Sequence, residues 1–133
     1  MCLKVEGKTR FKKAKKEITC YKVLRDHGDK IYSAPFHMML VSLGKEYHTG
    51  EEMEKKVLKN GDFLIRGNAF HSFKKKEDAI ANAEKYNKEN KDEKFKYIVV
   101  SCLIPEGSEI IEGTFRECDG ICSNVIKYEK TVD

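Results

Sequence analysis

The ten residues from Phe95 to Ile104 are apolar on both alternating faces, with Lys96 and Ser101 as the exceptions. A strand of that kind has to be covered on both sides, which places it centrally in its sheet and leaves the rest of the chain to build around it. Just before it, Ala79, Ile80, Ala83 and Tyr86 fall at i, i+1, i+4 and i+7. They form one stripe of a helix whose other faces carry Glu77, Asp78, Asn82, Glu84 and Lys85. The acids come early, where the N-terminal end of a helix favours them, and the spacing predicts a helix over Lys76 to Asn90. Helix and strand together are where the core is expected.

The other segments are shorter. Ile18 to Leu24 is rich in β-branched and aromatic residues and stops at Asp26-His27-Gly28-Asp29, so it reads as a strand followed by a turn. Lys30 to Ser33 returns as the second arm of a hairpin ahead of Pro35, which is confined to a strand end or an edge. Phe36 to Leu43 reads as a buried strand, with a short buried helix as the alternative that periodicity does not separate. Gly44 to Gly61, with Glu51-Glu52-Met53-Glu54 and Lys55-Lys56, reads as an exposed excursion that is mobile or covers a pocket. Phe63 to Ile65 is a short strand ending at Arg66-Gly67, Ile110-Ile111 begins another, Gly113 to Gly120 reads as a loop, and Ile121 to Tyr128 as a final strand. Strands that do not alternate with helices predict an α+β single domain: a mostly antiparallel, curved β-sheet of about six strands with one main α-helix. Open sheet edges make self-pairing easy, so a homodimer is expected.

A chain of 133 residues fits one domain with a real core, and 40% hydrophobic against 36% charged residues is well above the composition of a disordered chain. No apolar run approaches the roughly 18 residues needed to cross a bilayer, and no apolar segment of a secretion signal opens the sequence. The expectation is a soluble, cytoplasmic protein without a membrane partner. Cys2, Cys20, Cys102, Cys118 and Cys122 are odd in number and lack bridge spacing, so they are expected as reduced thiols. The net charge of +4 is uneven, because residues 1–17 hold seven Lys and Arg against two Glu. That divides the chain into a basic N-terminal arm, 1–17, and an α+β domain, 18–133. Such an arm is more often a solvated segment or a lysine-protected edge than a grip on phosphate backbone, and charge is the one nucleic-acid signal present. Nucleic acid is therefore not the expected partner.

No motif of high catalytic specificity occurs. Cys118-x-x-x-Cys122 is half a zinc site with no second Cys/His pair at matching spacing, so two ordinary thiols and no metal are expected. Cys2 would become an N-terminal nucleophile on removal of Met1, yet Leu3-Lys4-Val5-Glu6 after it lacks the glycine of the amidotransferase pattern. His71 and Ser72 are adjacent and point to opposite sides of an extended segment, so they do not form a nucleophile and base pair with each other. His71 and Ser72 beside Arg66 and Asn68 make the best cluster of polar groups for a small ligand. Lys74-Lys75-Lys76 reads as a solvated face, or as help for a phosphate at the helix start.

In order along the chain stand Met1-Cys2-Leu3, Ile18-Thr19-Cys20-Tyr21-Lys22-Val23-Leu24, Tyr32-Ser33, Tyr47 near Gly50, Phe70-His71-Ser72-Phe73 with Glu77-Asp78-Ala79, Ile104-Pro105-Glu106-Gly107-Ser108, and Cys122-Ser123-Asn124-Val125-Ile126. This order resembles, over nearly the whole chain, a family of short proteins of bacteriophages and prophage-carrying bacteria. The resemblance implies an accessory or anti-defence role in a host bacterial cell and brings no activity with it. A more distant likeness is to ADP-ribosyltransferases, through Tyr21-Lys22, Phe70-His71-Ser72-Phe73 with the Ala79 helix, and Ser123-Asn124. Lys22 stands where that family has arginine, and Asn124 where it has the catalytic glutamate. Loss of that carboxylate removes the group that assists an oxocarbenium-like transition state, so the likeness implies nucleotide affinity without transfer chemistry. It further implies that Tyr21 stacks on a base, Lys22 or Arg66 meets phosphate, and His71 or Asn124 bonds a ribose. The expected function is sequestration of a small nucleotide-like ligand related to ADP-ribose or a cyclic nucleotide. The alternatives are a protein-binding inhibitor of a host enzyme and an active ADP-ribosyltransferase-like enzyme.

Overall fold

The computed structural model describes residues 2–35 and 39–132. Its strands are β1 (Leu3–Val5), β2 (Lys12–Lys13), β3 (Ile18–Asp26), β4 (Tyr32–Ser33), β5 (Leu40–Val41), β6 (Glu46–His48), β7 (Glu54–Val57), β8 (Phe63–Gly67) and β9 (Phe70–Phe73). The helix α1 (Lys76–Glu89) follows, and then β10 (Lys96–Ile104), β11 (Glu109–Phe115), β12 (Cys118–Ser123) and β13 (Val125–Val132). Among the described residues the strands join one sheet in the order β6-β13-β10-β3-β9-β12-β11-β1-β8-β7, with β2 on β11 and β4 between β3 and β5. The domain is α+β, with a curved antiparallel sheet and one helix. The sheet has thirteen strands among the described residues, not about six. Several are two to four residues long and carry charged side chains, so neither length nor alternation marked them in the sequence.

β10 lies between β13 and β3, and its pairing with β3 is unbroken from Lys96↔Asp26 to Ile104↔Ile18. Val99 joins the cluster on the helix side, with Leu3, Val5, Val23, Ile65, Phe73 and Ile111. Val100, Cys102 and Ile104 join the other, with Leu24, Ile121, Ile126 and Tyr128. Its two faces are thus both used, as the apolar run demanded. The helix rests on β3, β9 and β10 through the fully or nearly buried Ala79 and Ala83, whose small side chains allow close approach. Asn87 ties the helix to β10 through its side-chain amide, which donates to the Tyr97 carbonyl at 2.8 Å and accepts from the Tyr97 amide at 2.7 Å.

Three expectations change. Residues 1–17 are not a detached arm: β1 sits between β11 and β8, and Leu3 and Val5 are wholly buried. The alternation Leu3-Lys4-Val5 is a half-buried strand signal that the surrounding lysines obscured. The region 113–120 is no loop, because β11 and β12 meet at Arg116-Glu117, both in the left-handed region at φ 50° and 65°. A two-residue turn of that kind ordinarily announces itself with Asn or Gly, and neither is present. The closing segment is two strands, broken at Asn124, where the chain leaves its β11 and β9 neighbours for β10 and β6. Of the segment 36–43, Leu40–Val41 is strand, and residues 36–38 lie outside the described residues.

Candidate functional site

β3 changes neighbours halfway along one edge. Tyr21 pairs with Phe73 of β9, whereas Arg25 and Asp26 pair with Ser33 and Tyr32 of β4. Among the described residues 22–24 have no ladder partner on that edge, and the strands part there. Between them lies a cavity of about 360 Å³. Its size is at the small end of the range for small-molecule sites.

The walls come from six elements. Lys22 and Val23 of β3 face His71 and Phe73 of β9, the end of β8 with its turn (Arg66, Gly67 and Asn68) forms a rim, Tyr86 reaches in from the helix, Phe115 from β11, and Ala34-Pro35 from beyond β4. Phe115 packs against both His71 and Phe73, with ring centroids 5.7 and 5.0 Å apart. Asn68 holds the tight turn with φ 54°, a conformation that Asn tolerates better than most residues.

Lys22 is the buried cation of the site. Its ammonium donates to the His71 carbonyl at 2.7 Å, a bond that spans the parting between β3 and β9. Among the described residues no carboxylate pairs with it; its titratable neighbours are the thiols of Cys20, Cys102 and Cys122. Burial lowers the proton affinity of Lys22, and those thiols oppose the effect. Burial pushes Cys102 and Cys122 up, while the Cys102 thiol, with Ser72 and Lys22, draws Cys20 down. His71 is buried, and its Nε2 lies 3.0 Å from the Ile65 carbonyl, which makes Nε2 the protonated nitrogen when the ring is neutral. Arg66 is exposed at the rim, and among the described residues no carboxylate lies within ion-pair distance of it. No acidic side chain is among the described lining residues.

Of the seven candidate residues, Lys22, Arg66, Asn68 and His71 meet in this cavity. Ser72 points to the far side of β9, beside the Cys20 thiol, because neighbours on a strand alternate. Tyr21 shares the face of Val23 but stands where β3 is still paired, opposite Phe73, and lines a shallow depression with Lys76, Ser101 and Lys130. Asn124 lies in another, where its Oδ1 accepts the Glu109 amide at 2.8 Å and fixes the break between β12 and β13. Lys74 and Lys75 pair with Glu112 and Asp119 at 2.9 and 3.4 Å, so they belong to the surface and not to the cavity. No described residue of the excursion 44–61 lines the cavity either; β6 and β7 sit at the two ends of the sheet.

Tyr86, Phe73 and Phe115 also line the cavity, and no local sequence pattern marks them as site residues. Tyr86 was visible as the last member of the helix stripe, set one turn beyond the buried Ala83. Phe115 fell in a segment read as loop and gave no signal. Among the described residues no group of three or more His, Cys, Asp or Glu is arranged to hold a metal ion. No helix is long and apolar enough to cross a membrane. No protein-family model matches the chain, and no curated protein or solved structure is significantly similar to it.

Proposed function

We propose that this chain is a phage-type accessory protein that binds and sequesters a small nucleotide-like anion in the cavity between β3 and β9. The observation that carries this reading is the composition of one partly open cavity. It holds a buried lysine amine, a rim guanidinium, an imidazole, a side-chain amide and three aromatic rings, and no carboxylate among the described lining residues. Excess positive charge in a low-dielectric recess favours an anion, and Arg66 suits the planar geometry of phosphate. Tyr86, Phe73 and Phe115 offer ring faces and edges for a base, in the place that the resemblance had given to Tyr21. His71 and Asn68 offer the hydrogen bonds that a ribose requires. The accessory, anti-defence setting in a host cell rests on the block order of the sequence alone.

Binding without turnover fits the same inventory. An oxocarbenium-like transition state calls for a carboxylate beside the reacting sugar, and the described lining residues supply none. Calorimetric titration with AMP, ADP-ribose, its cyclic forms and cyclic dinucleotides tests the reading. One ligand is expected to bind with one-to-one stoichiometry, with affinity reduced about tenfold or more in Arg66→Ala, the effect of one charge-assisted contact. Absence of heat with every member of the set overturns it, as does equal affinity in the Arg66→Ala and Lys22→Met variants.

A further inference from the structure

Lys22 is an unusual choice if the cavity needs only a positive charge. Arginine holds phosphate with a fixed, always charged fork, and a surface lysine does so with little desolvation. Here a lysine is buried to 8% exposure with no carboxylate partner among the described residues, and its amine is pinned at 2.7 Å on a backbone carbonyl. A neutral amine donates the same hydrogen bond, more weakly than an ammonium does. The site therefore accommodates the deprotonated state: no carboxylate among the described residues holds the proton, and the three thiols oppose its loss less than burial favours it.

We infer that Lys22 is a nucleophile: it captures a small ligand bearing an aldehyde or ketone together with an anionic group, as a reversible imine. This rests on the cavity being the ligand site, as proposed above, and names the class of ligand. A reducing ribosyl phosphate meets the description, since its open-chain form carries an aldehyde at one end and phosphate at the other. The neutral Nζ attacks the carbonyl carbon and the C–N bond forms. The carbonyl oxygen then leaves as water with both amine protons, giving C=N with no change in oxidation state. Water returning to the imine reverses the step, so the ligand is held and not consumed. Desolvation supports this chemistry by raising the share of free amine, as it does for other buried lysines that form Schiff bases. Cys20, Cys102 and Cys122 are the titratable groups that face Lys22, and burial keeps the last two protonated through the neutral range. Arg66 at the mouth is placed to hold the anionic end while the carbonyl reaches the floor.

The test uses pyridoxal 5′-phosphate, which combines an aldehyde, an aromatic ring and a phosphate, on the full chain at one equivalent, followed by borohydride reduction and peptide mapping. The reduced adduct is expected mainly on Lys22, in preference to the many exposed lysines. Plain pyridoxal, which lacks the phosphate, should label Lys22 about tenfold less, as should pyridoxal 5′-phosphate with Arg66→Ala. Mapping reads the site on unaltered protein, so no variant has to fold for the result to count. Lys22→Met, checked for native circular dichroism, should lose that adduct and keep only scattered surface labelling. Adducts on exposed lysines with an unmodified Lys22 peptide overturn the inference. AMP, which has no reactive carbonyl, separates the two readings: AMP binding with no Lys22 adduct sinks the covalent step alone, whereas an adduct that excess AMP displaces supports both. An adduct at Lys22 indifferent to phosphate, to Arg66→Ala and to AMP sinks the assigned ligand class.

Discussion

The two edges of β3 are opposites. Against β10 the strand is paired at every residue from Ile18 to Asp26, and the side chains that follow are buried on both faces. Against β9 it is paired at Tyr21 alone, and the parting beyond contains a buried lysine amine, a cavity and a rim of exposed polar groups. One strand therefore supplies the most continuous ladder of the molecule and its most open seam. The closed edge fixes where Lys22 stands, and the open edge lets it meet a ligand. Binding groups held on a rigid element keep their geometry, which is the advantage of building a site at such a boundary.

Substitutions on the two edges should separate stability from binding. The largest effect is expected from Leu24→Ala, a wholly buried residue of the closed ladder, which should cost about 2–5 kcal/mol of unfolding free energy by chemical denaturation. A cost below about 1 kcal/mol would mean that the closed edge is not the stability centre. Next comes Gly113→Ala, far from both edges, where a Cβ would collide with the Lys4 carbonyl oxygen and part β1 from β11. About 1–3 kcal/mol is expected, and a neutral result would return residues 3–5 to the status of a loose arm.

Lys22→Met moves in the other direction. Removing a buried amine that lacks a carboxylate partner is expected to stabilise the fold by about 1–3 kcal/mol near neutral pH. The gain must depend on pH. Burial lowers the proton affinity of Lys22 in the folded chain, so below the ordinary value of 10.5 the unfolded chain binds that proton more tightly. The stability of the parent relative to Lys22→Met should climb with pH through the window between the lowered folded value and 10.5, and level off above it. Cys102, Cys122 and Tyr128 pull the parent curve the opposite way at alkaline pH, since burial raises all three. Taking the difference between the two proteins cancels them to first order. A flat difference between pH 6 and 10, by chemical denaturation, would show that Lys22 is solvated.

Smaller still is the rim. Asn68→Ala, at φ 54°, should cost about 1 kcal/mol, while Asn68→Gly should fall within a few tenths. Arg66→Ala should leave the melting curve within about 0.5 kcal/mol, because the side chain is exposed, and yet weaken ligand binding. A rim substitution that unfolds the protein would erase the distinction between the two edges.

Several of these features were legible before the fold was known. The helix over 76–90 and the strand over 95–104 stood out because each is long and its period repeats, and both occur within a residue or two of their expected limits. β1, β6 and β7 are short and flanked by charge, so no window was long enough to carry a period. Arg66, Asn68, His71 and Ser72 were grouped because they are near in sequence; a turn of two residues brings the first three to one cavity, while Ser72 points to the other side of β9. Lys22 was singled out only through a resemblance, and Tyr21 and Asn124 came with it although they face other surfaces. Nothing in the local pattern distinguishes a lysine that points at solvent from one that points into a seam.

By itself the sequence determined what depends on near neighbours: a central apolar strand, the amphipathic helix before it, an α+β domain, and a polar turn ahead of the helix. Tertiary structure decided what depends on residues far apart in the chain. Lys22 and His71 are separated by 49 positions, and the cavity exists because β3 exchanges β9 for β4 midway along one edge. Periodicity records which face of a segment is buried. It carries no record of which strand lies alongside, and the site is made by that choice.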